Sequence, residues 1–459
     1  MGASTVSIER DMKPNAFSGA VRVMTPTLVC LVWLTCSSFA AAPSDAHWPR
    51  WRGPLDTGEA PNADPPIEWS ADKNLRWKLP IPGHGHSTPV IWGDRIYLTS
   101  ARPIGDPLPK PRYSGREGAH NNLPITNRQE FAVIAISRSQ GKIEWSKPVR
   151  TEVPHEGAHE SGSLASNSPV TDGKRVYAYF GSRGLFCLDP AGGIVWERQF
   201  GKKHTKHGHG EGASPTLHGE TLIVNWDHQE KSFVVALNKK TGEQIWQRDR
   251  DELTSWATPI VVEEAGRKQV IVPGSQRVRA YDLGTGEIIW ECGGLSANIC
   301  ASPVAGDGMA FAGSSYVKRG FIAVTLAGAK GDITGTDHVA WTRVRGTPYV
   351  PSPLLYRGRI HFFNHFQSVL TQLDARTGTA DPGPFRLPGI GNIYASPVAA
   401  QERIYITDLE GSTLVLSAAA KPEVLALNHL DDSFAASPAL AGNELYLRGR
   451  GHLYCIAED

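Results

Sequence analysis

Cysteine is scarce in this chain, 6 in 459 residues, with no two adjacent and no Cys-x-x-Cys pair. There is no Gly-x-Ser-x-Gly elbow and no phosphate-binding glycine loop either, so no catalytic centre is legible from motif alone. Charge is balanced, 47 Lys and Arg against 46 Asp and Glu for a net +1. That removes any bulk electrostatic pull toward nucleic acid or an acidic membrane surface. Helical patterning is missing as well. Apolar residues alternate with a period of two, broken by turn residues, and 47 Gly and 33 Pro punctuate the chain, which reads as short strands joined by tight turns.

The clearest unit runs from Gly212-Ala213-Ser214-Pro215 to Ile245-Trp246. It holds strand-like runs at Thr221–Trp226 and Phe233–Asn238 and closes on Thr241-Gly242-Glu243-Gln244-Ile245-Trp246. Its opening proline recurs as Pro89, Pro169, Pro215, Pro259, Pro303, Pro353, Pro397 and Pro438, at intervals of 80, 46, 44, 44, 50, 44 and 41 residues. A period in the forties with four strands per unit, A to D, is the signature of a β-propeller. The expected fold is therefore all-β, an eight-bladed propeller of four-stranded antiparallel blades over residues 74–459. Trp77, Trp145, Trp196, Trp246, Trp290 and Trp341 share one position in strand D, which suits docking between neighbouring sheets better than ligand stacking. The last unit has no strand D of its own, and Asn74–Leu79 looks like an isolated one. Pairing the two closes the ring and removes an open edge.

Residues 1–42 read as a secretory signal peptide: a basic start with Arg10, Lys13 and Arg22, an apolar stretch, and a small-residue end at Ser38–Ala42. The competing reading is an uncleaved membrane anchor, the one route by which this chain would touch a membrane. Export to the periplasm or cell envelope, as a monomer, is the expectation. Residues 43–73, with His47-Trp48-Pro49-Arg50-Trp51-Arg52-Gly53-Pro54, are too short for a domain and read as a strap across the propeller. Cys187 and Cys455 fall at equivalent strand-C positions and read as small buried hydrophobes. Cys292 and Cys300 flank one inter-blade loop and are candidates for a disulfide in an oxidising compartment.

Antiparallel order places the D–A and B–C loops on one face, and that face has the long, irregular loops. It is the expected surface for a protein or envelope partner. Candidate metal ligands there are His84, His86, His155, His159, His204, His207 and His209, with His120 and His228 from B–C loops, beside Glu156, Glu160, Glu211 and Asp227. Imidazole with carboxylate suits zinc, copper, nickel or iron. The run His155-Glu156-Gly157-Ala158-His159 matches H-E-x-x-H, but glycines and Pro154 argue against the helix that motif requires. Arg183, Arg277, Arg319 and Arg450 occupy equivalent B–C turns. They are candidates for gripping a carboxylate or phosphate, or for tying blades together. Trp256, Tyr349, Tyr394 and Phe434 precede strand A and would ring the axis, as a stacking surface or as a plug.

The segments Thr241–Trp246, Asp282–Trp290 and Ser139–Trp145, with Trp48–Pro54 near the start, resemble the repeat of the pyrroloquinoline-quinone (PQQ) type propellers. The resemblance covers residues 48–459. It implies either of two roles: a quinoprotein dehydrogenase acting on alcohols or sugars with PQQ and Ca²⁺, or a non-catalytic scaffold similar to the propeller lipoprotein of the outer-membrane barrel-assembly machinery. The dehydrogenases carry a vicinal Cys pair that has no counterpart here. The leading expectation is the binding or scaffold module without a cofactor; the alternative is a quinone- or metal-dependent oxidoreductase.

Overall fold

The computed structural model describes residues 47–315 and 319–458, and the expected signal peptide lies outside them. Eight antiparallel sheets follow one another along the chain. Blade one comprises Val90–Trp92, Arg95–Ile104, Arg128–Ser137 and Lys142–Glu152, and blade three comprises Thr216–His218, Thr221–Trp226, Ser232–Asn238 and Gln244–Arg250. Blade eight takes Ala439–Ala441, Glu444–Arg448 and His452–Ile456 from the end of the chain and Leu75–Pro80 from its beginning. The ring is thus closed by an N-terminal strand, with Trp77 opposite Cys455.

The recurring Ser/Thr-Pro step has a physical explanation. Proline starts strand A without an N–H to donate, and the N–H of the residue before it must find a partner as it becomes buried. The hydroxyl of the next blade's equivalent residue supplies one. Thr88 N–H donates to Ser168 Oγ, Ser168 to Ser214, Ser214 to Thr258, Thr258 to Ser302, Ser302 to Ser352, Ser352 to Ser396 and Ser396 to Ser437, each at 2.9 Å. The belt stops at the seam between blades eight and one, where Thr88 Oγ1 has no partner among the described residues. There the buried Arg448 takes over: its guanidinium bonds Ser87 Oγ, and donates to Ser87 O at 3.2 Å and Thr99 O at 2.8 Å. Burial pushes that guanidinium down to about 9.

The strand-D tryptophans dock neighbouring blades. Trp77, Trp145, Trp196, Trp246 and Trp341 donate Nε1–H to carbonyls of Arg138, Pro190, Lys239, Leu283 and Ala375 at 2.9–3.0 Å, each in the next blade's C–D region. Their rings lie on Gly141, Gly192, Gly242, Gly286 and Gly378, where a Cβ would come within 3.0 Å of the indole. Trp290 is the exception and bonds Gln269 Oε1 in its own blade. Blade five's C–D connection is enlarged here, and its Gly331–Asp332 strand pairs in parallel with Trp290 and Glu291. The residue facing each tryptophan across strand C is small: Ala135, Cys187, Ala236, Ala280, Ala323 and Cys455. Cys187 and Cys455 are therefore alanine substitutes in a tight slot. All four described cysteines are free, so Cys292 and Cys300 do not pair.

Residues 47–69 cross the end of the ring opposite the long loops. Trp48 exchanges backbone hydrogen bonds with Ile91 of blade one, and Pro49 O accepts from Thr171 N–H of blade two. Arg52, 1 % exposed, donates to Pro353 O at 3.1 Å and Pro397 O at 2.9 Å, at the start of blades six and seven. Ala60 N–H then reaches Ala399 O, and Asn428 holds Ile67 O and Trp69 N–H. The segment spans the axis from one side to the other. Among the described residues no helix is long and apolar enough to cross a membrane.

Candidate funnel site on the loop face

The D–A and B–C loops converge on a cavity of about 670 Å³. Trp51 of the crossing segment and the hydroxyls of Thr258, Ser302 and Ser437 line its deep end. Trp256, Tyr349, Phe366 and Tyr394 form an aromatic wall. Phe366 and Tyr394 stack with centroids 5.3 Å apart, and Tyr349 stacks on His365 at 5.7 Å. Trp256 is held upright by Nε1–H donation to Gly210 O at 2.7 Å. Phe434 is fully buried behind the cavity, packed on Tyr454. Cys300 also lines it, its thiol pushed up to about 12 by burial.

The four arginines do not meet there. Arg183, 3 % exposed, is clamped to Glu211 at 2.7 Å and lies over the Phe131 ring. Arg277 pairs with Glu291 at 3.2 Å and Asp332 at 3.1 Å. Arg450 bonds Asp432 and Ser433 through its backbone N–H, and Arg319 stands near His365, holding that imidazole below its usual value after burial has lowered it. None of the four is among the cavity-lining residues, which include no Lys or Arg but do include Glu160 and Glu211. Of the two roles open to these arginines, Arg183 and Arg277 are engaged in ion pairs with Glu211 and with Glu291 and Asp332.

The histidines divide into separate groups. His84 is exposed, and His86 reaches the cavity, its imidazole pushed down to about 3 by burial and by the Arg448 guanidinium. His155 and His204 lie with Glu156, their ligand atoms within 4.8 Å of one another, the one such group among the described residues. His228 stays outside that group, bonding Lys231 O. The two histidines of the H-E-x-x-H run part company, since His159 sits in a two-residue strand paired with Asn122–Leu123 and no helix forms. His159 instead joins His120, His207 and His209 at the cavity rim. Burial and these imidazole neighbours push His209 down to about 4. His120, in the long B–C insertion of blade one, carries no periodic signal; its place at the rim comes from long-range loop packing. Ser161 Oγ lies 2.7 Å from His159 Nδ1, a pairing that no sequence motif announced. The same ring nitrogen also accepts Ser161 N–H at 3.2 Å.

A family model described as outer membrane protein assembly factor BamB matches residues 129–381, more than half of the chain. The chain belongs to that family, the PQQ-like propellers. No curated protein matches its sequence. Among solved structures, this PQQ-like propeller is similar to BamB from Moraxella catarrhalis (13% identity, TM-score 0.57, covering 84% of this chain and 99% of that one). It is also similar to a europium-containing methanol dehydrogenase (9% identity, TM-score 0.61, 91% and 99%). A third is the quinohemoprotein alcohol dehydrogenase from Comamonas testosteroni (11% identity, TM-score 0.58, 91% and 81%). Identities this low show a shared fold, and the activities of those proteins remain theirs.

Proposed function

We propose that this PQQ-like propeller is an exported, non-catalytic binding module of the periplasm or cell envelope, which engages a partner through the funnel on its D–A/B–C face. The observation that carries this reading is the funnel itself. It is a preformed concavity of about 670 Å³ with an aromatic wall and scattered polar groups, within the size range of sites that accept a small ligand or a projecting side-chain cluster. Glu211 is neutralised by Arg183 at 2.7 Å, which leaves Glu160 as the one uncompensated charge of the lining, and favours neutral or weakly cationic surface on the partner.

The quinoprotein reading is the alternative suggested by two of the structural relatives. The donor set here does not fit it. PQQ is a tricarboxylate, and the cavity lining offers it no Lys or Arg, while Arg183 is bound to Glu211. The Ser161–His159 contact does not favour hydrolysis either, because among the described residues no carboxylate is hydrogen-bonded to that ring.

Two measurements test the reading. Crosslinked affinity capture from the native envelope is expected to recover a partner with the wild-type chain and to lose it with Trp256→Ala or Tyr394→Ala. Identical capture by all three proteins removes the funnel from the interface. Reconstitution with PQQ and Ca²⁺, followed by dye-linked alcohol oxidation, is expected to give no turnover; turnover overturns the non-catalytic assignment.

A further inference from the structure

The imidazoles at the rim of the funnel are gathered closely enough to close on one ion if their rings turn inward. Three separate loops bring them together: the blade-one insertion (His120), the connection into blade two (His159), and the connection into blade three (His207 and His209). Ring centroids are 4.7 Å apart for His120 and His209, 5.4 Å for His207 and His209, and 5.6 Å for His120 and His207. His159 stands 4.9 Å from His209 and 6.1 Å from His120. Two imidazoles on one tetrahedral ion, with metal–nitrogen bonds of about 2.0–2.1 Å, have ring centres roughly 5 Å apart. The rim spacings bracket that value.

The tautomers of the rings support the same conclusion. Nδ1 of His120 is bonded to Gly118 O at 2.8 Å, and Nδ1 of His207 to Glu117 O at 2.9 Å. Nδ1 of His209 meets Asn122 Oδ1 at 2.9 Å, and the amide is held that way round because its Nδ2 donates to His207 O at 2.7 Å. Carbonyl acceptors place the proton on Nδ1 in all three rings. That leaves the Nε2 lone pairs for a ligand, which is how outer contacts orient metal-bound histidines. The approach is close enough that a Cβ at Gly118 would sit 2.6 Å from His207 Nδ1.

We propose that Nε2 of His120, His207 and His209 hold one divalent ion of the zinc, copper or nickel class, with His159, whose Nδ1 accepts Ser161 N–H, beside them and outside the donor set. The all-nitrogen donor set excludes calcium and magnesium, which take oxygen. The neighbouring His155–Glu156–His204 group is more tightly drawn together but already satisfied. Glu156 Oε1 accepts from Arg116 Nε at 2.7 Å, its Oε2 takes Thr205 N–H at 3.1 Å, and His155 Nε2 bonds Lys203 O at 2.6 Å. A guanidinium on the carboxylate competes with any cation for the same oxygen. The rim nitrogens are spread more widely than that group, so binding turns the rings inward on their glycine-rich loops. This inference stands apart from the partner-binding reading, since it needs no partner.

The test uses the untagged chain, stripped with a chelator and titrated with Co²⁺. One equivalent is expected to produce the visible bands of tetrahedral cobalt, which Zn²⁺ abolishes and Ca²⁺ does not. His120→Ala and His209→Ala are each expected to weaken affinity at least about tenfold, while the double variant His155→Ala/His204→Ala leaves it unchanged. Circular dichroism and the melting temperature verify folding; if His209→Ala fails to fold, His120→Ala, in a surface loop, decides. No stoichiometric uptake by the folded chain overturns the proposal. So does uptake that survives the rim variants or is lost in the double variant.

Discussion

Ser302 and Thr88 occupy equivalent positions in the hydroxyl belt and differ in one respect. Ser302 Oγ accepts the buried Thr258 N–H at 2.9 Å, whereas Thr88 Oγ1 accepts from nothing among the described residues. A buried N–H that loses its acceptor bears the full cost of its desolvation, about 1–3 kcal/mol. Ser302→Ala is therefore expected to destabilise the fold by about 1–3 kcal/mol, and Thr88→Ala by much less. Chemical denaturation of the two variants checks this, and equal losses would show that the belt bonds contribute nothing. The serine or threonine before each proline was visible in the sequence as part of the repeat. Its role was not, because the acceptor comes from a different blade about 44 residues later. Residue-scale roles at the funnel were hidden for the same reason. Nothing local distinguishes His120 at the rim from His84, which is exposed outside the cavity. Arg183 reads as an available cation until Glu211 is found 2.7 Å away.

At the scale of the element, the outer strand and its tryptophan form the repeating joint. Period-two patterning and glycine-bearing turns made the strands legible, since both signals are local. The exception was not. Trp290 keeps its sequence position but exchanges the next blade's carbonyl for Gln269, because the Gly331–Asp332 strand covers that edge. Trp246 shows the standard joint, 5 % exposed and bonded to Leu283 O at 2.9 Å. Trp246→Ala is expected to destabilise the protein by roughly 3–5 kcal/mol, as for other large-to-small changes of buried aromatics. Thermal denaturation reads the effect; a melting temperature unchanged from wild type would deny the indole its docking role. The alanines opposite these tryptophans complete the joint. They explain why two blades tolerate cysteine there without any thiol chemistry.

The whole molecule depends on how a repeated joint is finished once. Seven inter-blade boundaries share the belt bond, and the eighth relies on Arg448, with Glu444 bridging Arg76 and Arg138 nearby. Arg448→Met keeps the length of the side chain but leaves the carbonyls of Ser87 and Thr99 without a donor. It is expected to cost about 2–4 kcal/mol and to open the seam before the rest of the ring, seen as early hydrogen exchange in residues 75–80 and 452–456. Uniform exchange around the ring would assign the seam no special weakness. The pairing of Trp77 with Cys455 has a consequence for the order of events during synthesis. Residues 75–80 must wait, unpartnered, until residues 452–456 have been made, and contacts this far apart in sequence form slowly. A half-finished chain carries an unsatisfied strand at its start and a raw sheet edge at its growing end, so the clasp is the last thing to fasten and the point where a chaperone has most to protect.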